Sequence, residues 1–229
     1  DLKPVRFPGL DRLTPFQTET IALHLMRSNP EVVRTLVDDG SADLSYAIPA
    51  KTRFRVNIFS QRGTYSVVMR VIPSGVPSID DLGLPDEVRN VAELKNGIVL
   101  VTGPTGSGKS TTLAAVIDAI NASKPYHIVT IEDPIEYLHP HKTATINQRE
   151  VGIDTRSFAL ALRAALRQAP KVILIGEMRD VETIETAMEA AETGHLVLST
   201  LHTVDASKTV ERVLGVFPKD QEQFIRNRF

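Results

Sequence analysis

A glycine-rich segment, Gly103–Thr111, has the pattern G-x-x-x-x-G-K-[ST] of loops that bind phosphate groups. An apolar run at 97–102 precedes it, and the apolar residues of 111–120 recur at helical spacing. This strand–loop–helix context favours a phosphate loop over a glycine turn with a coincidental lysine. Lys109 would reach the terminal phosphates, and Ser110 would ligate Mg²⁺. The residues expected to bind the nucleotide are Gly103, Pro104, Thr105, Gly106, Ser107, Gly108, Lys109, Ser110 and Thr111.

Two further apolar runs end in carboxylates. Glu132 follows the run 128–131, and Glu177 follows 172–175 and one glycine. Ligands of open α/β sheets bind beyond the carboxyl ends of the strands. We therefore expect Glu132 to act as the base that activates water, and Glu177 to support Mg²⁺ together with Ser110. Taken without the phosphate loop, acids at these positions would favour capping or turn roles.

Two histidines, His195 and His202, flank the apolar run 196–200. The chain has no cysteine, and no third ligand clusters near these histidines in the sequence, so a metal pair is disfavoured. A neutral histidine at a strand end can sense a phosphate or an adjacent subunit. An ordinary hydrogen-bonded histidine explains the pattern equally well.

Composition limits the class of protein. The 229 residues are 42% hydrophobic and 24% charged, which is typical of a globular chain. The net charge of −2 gives no basic field for nucleic acid, and none is expected as a partner. No apolar run approaches the roughly 18 residues of a membrane span. No signal peptide is visible in the sequence. The absence of cysteine fits a reducing cytosol. Both ends look incomplete.

The pattern along the chain predicts two domains of different class. Helical and then alternating apolar patterns indicate a small α+β domain at 1–73, with a hairpin turn at 61–63. A segment rich in proline and glycine, 74–86, reads as a linker. Strands and helices alternate over 87–229, which predicts an α/β core with a parallel sheet. Within it we expect a two-strand excursion near 143–150 and a helix at 155–167.

Arginines lie on predicted surfaces of both domains. Arg55 and Arg70 are out of phase with the apolar residues of their strands, and Arg163 and Arg167 lie one turn apart on a predicted helix. A solvated charged face is the default interpretation of both pairs.

Four segments in order resemble the motifs of the ring ATPases of type II secretion and type IV pili. Gly103–Thr111 resembles the Walker A motif, Thr130–Glu136 the Asp box, Gly176–Asp180 the Walker B motif and Gly194–Thr203 the His box. The resemblance covers nearly the whole chain. It is nearest to the type IV pilus retraction ATPases, because Gly215–Pro218 and the segment after Arg70 are similar to theirs.

The resemblance implies a RecA-like P-loop ATPase core preceded by a small PAS-like α+β domain. It implies ATP and Mg²⁺ as ligands, and a homo-oligomer, a hexamer, that works in the cytoplasm at the inner membrane. A pilus platform protein of that membrane would be the partner. In the family pattern Glu132, Glu177, His195 and His202 are catalytic-site residues. Arg55 and Arg70 match arginines that face the nucleotide of a neighbouring subunit, and Arg163 and Arg167 match arginines near subunit contacts.

The sequence also departs from this family. Ala169–Lys171 replaces an acidic stretch before the Walker B motif, and the chain ends before the C-terminal helical region, so the core is expected to be truncated. Three alternatives stay open: a type II secretion or pilus-assembly ATPase, a weakly hydrolysing nucleotide-binding regulator, and a DNA translocase. Glu132 and Glu177 argue against the regulator, and the net charge argues against the translocase.

Overall fold

The structure, a computed structural model, describes residues 3, 5, 8–9, 12–27, 29–48, 51–73 and 75–228. The chain separates into two compact units, 1–72 and 73–229. Each is described by itself below. The PAS-like character of the N-terminal domain and the linker at 74–86 stay predictions.

The first unit contains two helices and an antiparallel sheet. Apolar side chains from α1, α2 and the inner face of the sheet form its core, among them Ala22, Leu36, Val56 and Ile58. The hairpin between the last two strands turns at Arg62 and Gly63, with φ of 49° and 75°, as expected for a two-residue turn. The elements are α1 (Pro15–Met26), α2 (Pro30–Asp39), β1 (Ser41–Ile48), β2 (Thr52–Gln61) and β3 (Thr64–Ile72), with strand order β1-β2-β3.

The second unit is an α/β core built on a five-stranded parallel sheet of order β4-β8-β7-β5-β6. This confirms the predicted α/β fold class. The strands are β4 (Gly97–Thr102), β5 (His127–Glu132), β6 (Thr145–Glu150), β7 (Val172–Ile175) and β8 (Leu196–Leu201). The helices are α3 (Asp86–Val91), α4 (Lys109–Ser123), α5 (Phe158–Ala165), α6 (Val181–Glu192), α7 (Ala206–Leu214) and α8 (Glu222–Arg228).

Helices cover both faces of this sheet, and alternate strand residues point to opposite faces. On one face, Val129 and Ile131 pack with α5, α6 and α7. On the other, Ile128 and Leu174 pack with α3 and α4. Because β5 alternates in this way, Thr130 and Glu132 lie on the same face as Ile128, the face covered by α4.

Two predicted elements differ from the structure. The expected two-strand excursion near 143–150 is wrong: a single strand, β6, pairs in parallel with β5, from His127 opposite Thr145 onward. The described residues just before β6 belong to no strand. The amides of Thr143 and Ala144 donate instead to the Asn121 carbonyl of α4, at 2.9 and 3.0 Å. The helix expected at 155–167 begins only at Phe158, because the Ser157 hydroxyl caps it, and a 3₁₀ turn, Leu166–Gln168, follows α5.

Asn121 on α4 fixes the chain that leads into β6. Its side chain is fully buried; Oδ1 accepts from the Lys142 amide at 3.2 Å, and Nδ2 donates to the Pro140 carbonyl at 2.8 Å. Asn121→Ala should lower the free energy of unfolding of the core by about 1–3 kcal/mol, because two backbone groups lose their partner. Denaturant unfolding measures this. Asn90→Ala, at an exposed site on α3, is the control and should change the free energy by less than about 0.5 kcal/mol.

Candidate functional site

The register of the parallel strands brings four chain segments to one edge of the sheet. Thr102 pairs with Leu201, Ile175 with Ser199 and Ile131 with Ile175. The residues that follow these strand ends are therefore neighbours: the loop 103–108, Glu132, Glu177 and His202. The structure thus gathers most of the predicted site residues of the second unit at the carboxyl edge.

The loop after β4 depends on glycine at three positions. Gly103, Gly106 and Gly108 have φ of 152°, 79° and 93°, which side chains other than glycine rarely adopt. At Gly103 a Cβ atom would also lie 2.6 Å from the Ser107 hydroxyl. The loop runs directly into α4, whose first residue is Lys109. Free amides of the first helical turn therefore point to the loop, an arrangement that suits an anion.

Lys109 supplies the positive charge of this loop. Its side chain is buried, and Nζ donates to the carbonyl oxygens of Gly103 at 2.9 Å and Pro104 at 3.0 Å. Ser110, the next residue of α4, is partly buried. The Thr111 hydroxyl lies 3.0 Å from the Tyr137 hydroxyl, which joins α4 to the chain after β5. These groups fit a phosphate chain: a cation, a helix N-terminus and a hydroxyl suited to a divalent ion.

Glu132 is the last residue of β5 and is surrounded by neutral donors. Its Oε1 accepts from the Thr130 hydroxyl at 2.6 Å and from Gln148 Nε2 at 3.3 Å; Oε2 accepts from the Glu136 amide at 3.5 Å. Burial raises the pKa of Glu132, although these three hydrogen bonds lower it; the nearby Glu136 carboxylate raises it slightly further. A carboxylate with a raised pKa is a better proton acceptor near neutral pH.

Glu177 has cationic and neutral partners instead. It lies two residues beyond β7, and the Arg179 guanidinium contacts its Oε1. His202 Nε2 lies 3.4 Å from Oε2. The pKa of His202 is lowered by burial first and then by the charges of Lys109 and Arg179. His202 is therefore a neutral imidazole at pH 7.

The described residues contain no group of three or more His, Asp or Glu side chains that could hold a metal ion by themselves. Ser110 and Glu177 would thus supply only part of a Mg²⁺ coordination shell. Mg²⁺ commonly binds through one or two carboxylates together with phosphate oxygens and waters, so the residues present fit this ion when nucleotide supplies the rest.

His195 is not part of this cluster. It precedes β8, whereas His202 follows it, and six strand residues at ~3.3 Å each separate the two edges by about 20 Å. Its Nδ1 donates to the Ala190 carbonyl at 2.8 Å, which ties β8 to the end of α6. Within its own chain, His195 therefore has a structural hydrogen bond at the opposite edge of the sheet.

The predicted arginines lie outside this edge. Arg55 and Arg70, in the first unit, face each other directly across β2 and β3. In the described part of the chain neither has an ion-pair partner. Arg163 contacts Glu182 between α5 and α6, and Arg167 is exposed in the 3₁₀ turn.

Four contributing residues escaped prediction from the sequence: Thr130, Tyr137, Gln148 and Arg179. Arg179 lies inside the segment Gly176–Asp180, two residues from Glu177, so its closeness to Glu177 could have been predicted from the sequence. Gln148 had none, because its contact with Glu132 depends on the place of β6 in the sheet.

The fold and this edge define an α/β protein with a RecA-like core and a glycine-rich loop at the carboxyl edge of its sheet. Comparison with known proteins is consistent with this class: the family model described as "Type II/IV secretion system protein" matches residues 10–222. The chain belongs to this family.

Similar proteins include the type IV pilus retractation ATPase PilT of Pseudomonas aeruginosa, which is 53% identical over 81% of this chain and 54% of its own length. The uncharacterized protein YggR of Escherichia coli is 43% identical over 97% of the chain and 69% of its own length. A crystal structure of the pilus retraction motor PilT with bound ADP superposes with a TM-score of 0.89 at 52% identity, over 95% of this chain and 63% of that one. The chain thus spans about half the length of PilT. No described helix is long and apolar enough to cross a membrane.

The charges around His202 give a direct test of this geometry. Lys109→Met should raise the pKa of His202, because it removes one of the cations that disfavour the imidazolium. An NMR titration of the histidine ring measures the pKa. Lys124→Met is the control: Lys124 follows α4 at its other end, about 22 Å from Lys109 by the rise of the helix, and should leave the titration unchanged. An unchanged pKa in Lys109→Met would contradict the arrangement.

Proposed function

We propose that this chain is the catalytic part of an Mg²⁺-dependent ATPase that works in a homo-oligomeric ring and powers retraction of a type IV pilus. The observation that carries the proposal is the meeting of the loop 103–108, Lys109, Glu132 and Glu177 at one sheet edge. A phosphate site, a metal-supporting carboxylate and a base are the parts that phosphoryl transfer to water requires.

In this proposal the loop and the start of α4 bind the phosphates. Lys109 leaves the carbonyls of Gly103 and Pro104, which it now contacts, and donates to phosphate oxygens. Ser110 and Glu177 hold part of the coordination shell of Mg²⁺. When bound, the ion neutralises charge that develops on the phosphate oxygens. Arg179 offsets the charge of Glu177.

Glu132 acts on the attacking water. Its carboxylate has no ion-pair partner in the described part of the chain, so no cation weakens it as a base. It accepts the proton of the water as the water attacks. His202, neutral at pH 7, lies beside Glu177 and offers a ring nitrogen for a terminal phosphate or its water.

Arg55 and Arg70 act in trans in this proposal. The two arginines are opposed in register, and neither has an ion-pair partner in the described part of the chain, so they suit a multiply charged anion. In a ring they would reach the nucleotide of the neighbouring subunit and stabilise the charge of its transition state. His195, Arg163 and Arg167, which lie away from the edge, would contribute at subunit contacts. A hexamer at the inner membrane, engaged with the pilus platform protein, is the assembly we infer.

The relatives favour retraction over the alternatives. Identity to the pilus retractation ATPase PilT is 53%, against 41% to the pilus assembly ATPase PilB of Myxococcus xanthus, over 81% and 86% of the chain. An assembly or type II secretion ATPase is therefore the second candidate. It is supported by a putative type II secretion system protein E of Escherichia coli, which is 49% identical over 59% of the chain.

The two acids should give different defects. Glu132→Gln should retain ATP binding and lose most turnover, because the amide cannot accept the proton. Glu177→Gln should in addition raise the Mg²⁺ concentration needed for half-maximal turnover. Lys109→Ala should lower ATP affinity or turnover by about tenfold or more. Nucleotide titration and steady-state ATPase assays of the oligomer measure these effects. Normal hydrolysis by Glu132→Gln would place the base elsewhere.

Stability provides the control for Glu132→Gln. The pKa of Glu132 is higher in the folded protein than in the unfolded chain, so the folded state favours the protonated carboxyl. Its contribution to the free energy of unfolding is therefore present below the unfolded pKa and is lost as pH rises through the folded pKa. The neutral amide avoids this loss, so the variant should be at least as stable as the parent at pH 7.

In cells, Glu132→Gln should leave pili assembled but unable to retract. Loss of surface pili would support the assembly candidate instead.

Mixing subunits tests the trans role of the arginines. Arg55→Ala/Arg70→Ala protein and Glu132→Gln protein should each be nearly inactive, since arginine fingers contribute roughly 10³–10⁵-fold in other systems. In mixed rings an intact Glu132 can face intact arginines from its neighbour, so ATPase activity should partly return. Arg34→Ala protein is the matched control, because it removes an exposed arginine of the same unit and keeps Arg55 and Arg70, so it should stay active by itself. Absence of rescue in verified mixed oligomers would exclude the trans role.

A further inference from the structure

The two oxygens of Glu132 have unequal surroundings. Oε1 accepts two hydrogen bonds, from the Thr130 hydroxyl at 2.6 Å and from Gln148 at 3.3 Å. Among the described residues, Oε2 has only the long contact with the Glu136 amide at 3.5 Å. One oxygen is therefore fixed by neighbours, and the other keeps most of its capacity to accept a proton.

Thr130 is placed to act on this carboxylate. It is fully buried in β5, between Val129 and Ile131, which are fully buried and apolar. It lies two residues before Glu132, so both side chains project from the same face of the strand. Valine would fill the same volume and suits a strand better. The buried hydroxyl has one proton to donate, and it donates it to Glu132.

Gln148 makes a second connection from β6. Its Nε2 also donates to the Tyr137 carbonyl at 2.9 Å, and its Oε1 accepts from the His139 amide at 2.9 Å. Gln148 therefore holds the chain 137–139 as well as Glu132, and a change there has more than one effect. A substitution of Thr130 is therefore easier to interpret than a substitution of Gln148.

We propose that Thr130 is a positioning residue for the hydrolytic reaction: its hydroxyl holds Oε1 of Glu132, so that Oε2 is the atom that takes the proton from water. This inference rests on the proposed function of Glu132 as the base. An acidic neighbour opposes the charged form of Glu132: Glu136 follows in the chain and raises the pKa of Glu132. The Thr130 hydroxyl acts in the opposite direction, because its hydrogen bond lowers that pKa. Without the hydroxyl, the carboxylate would be both less fixed and more readily protonated.

The test compares Thr130→Val with Thr130→Ser in the assembled enzyme. Thr130→Val should lower kcat by roughly ten- to hundredfold with little change in KM, because it removes one hydrogen bond to a charged group and keeps the volume. The acid limb of its kcat–pH profile should move to higher pH. Thr130→Ser keeps the donor and should restore both. Ser199→Ala, which removes a buried hydroxyl of β8 that donates to the Ile175 carbonyl at 2.7 Å, is the control and should change neither.

A second measurement does not depend on turnover. NMR titration of the Glu132 carboxyl carbon, assigned with Glu132→Gln, should show a higher pKa in Thr130→Val than in the parent and in Thr130→Ser. If Thr130→Val lowers kcat but moves neither the kcat–pH profile nor the NMR titration of Glu132, Thr130 is merely structural and the inference is overturned. A normal kcat in Thr130→Val would also overturn it. If Glu132→Gln itself hydrolyses ATP normally, the proposed base has failed. An inactive Glu132→Gln with a fully active Thr130→Val overturns only the role of Thr130.

Discussion

The parallel register of β4, β8, β7 and β5 is the constraint on which the site depends. It aligns Thr102, Leu201, Ile175 and Ile131 at one edge, so that the residues that follow arrive together. It also fixes the faces. A slip of one residue in β5 would move Thr130 and Glu132 to the face packed by α5 and α6. The apolar residues on both sides of each strand prevent such a slip, so core packing and site geometry have the same origin.

Charge is balanced at this edge in three different ways. Lys109 donates to the carbonyl oxygens of its own loop, and Glu177 contacts a guanidinium. Within the described residues, Glu132 accepts from neutral donors alone. A carboxylate paired with a cation is a weak base, whereas one held by neutral donors in a buried place keeps its basicity. The two glutamates, which the sequence places at or just beyond the ends of β5 and β7, therefore differ in their surroundings, and their proposed roles rest on this difference.

Local patterns were enough to predict the loop, the strand ends and the α/β class. The G-x-x-x-x-G-K-S pattern, the apolar runs and the acids that follow them are each contained in a few consecutive residues. The contacts of Gln148 and Tyr137 were not predictable, because they require the order of strands and the course of the chain between β5 and β6. His195 and His202 flank one run in the sequence, but the strand between them places them at opposite edges. Strand structure near 143–150 was predicted, but as two strands; the sequence did not show that a single strand there pairs in parallel with β5 at the edge of the sheet.

The arginines of the first unit show how a structure can favour one interpretation of a surface charge over another. Arg53 Nε donates to the Ser45 hydroxyl at 2.5 Å, so a contact within its own sheet explains the presence of this arginine. Arg55 and Arg70 are directly opposed across β2 and β3, and like charges in such a pair are destabilising. On a solvated sheet face the two opposed arginines would lower stability, and uncharged polar residues at the same positions would avoid the repulsion. The cost is explained if the pair exists to meet an anion, because the same closeness that makes two guanidinium groups repel each other lets them share one phosphate.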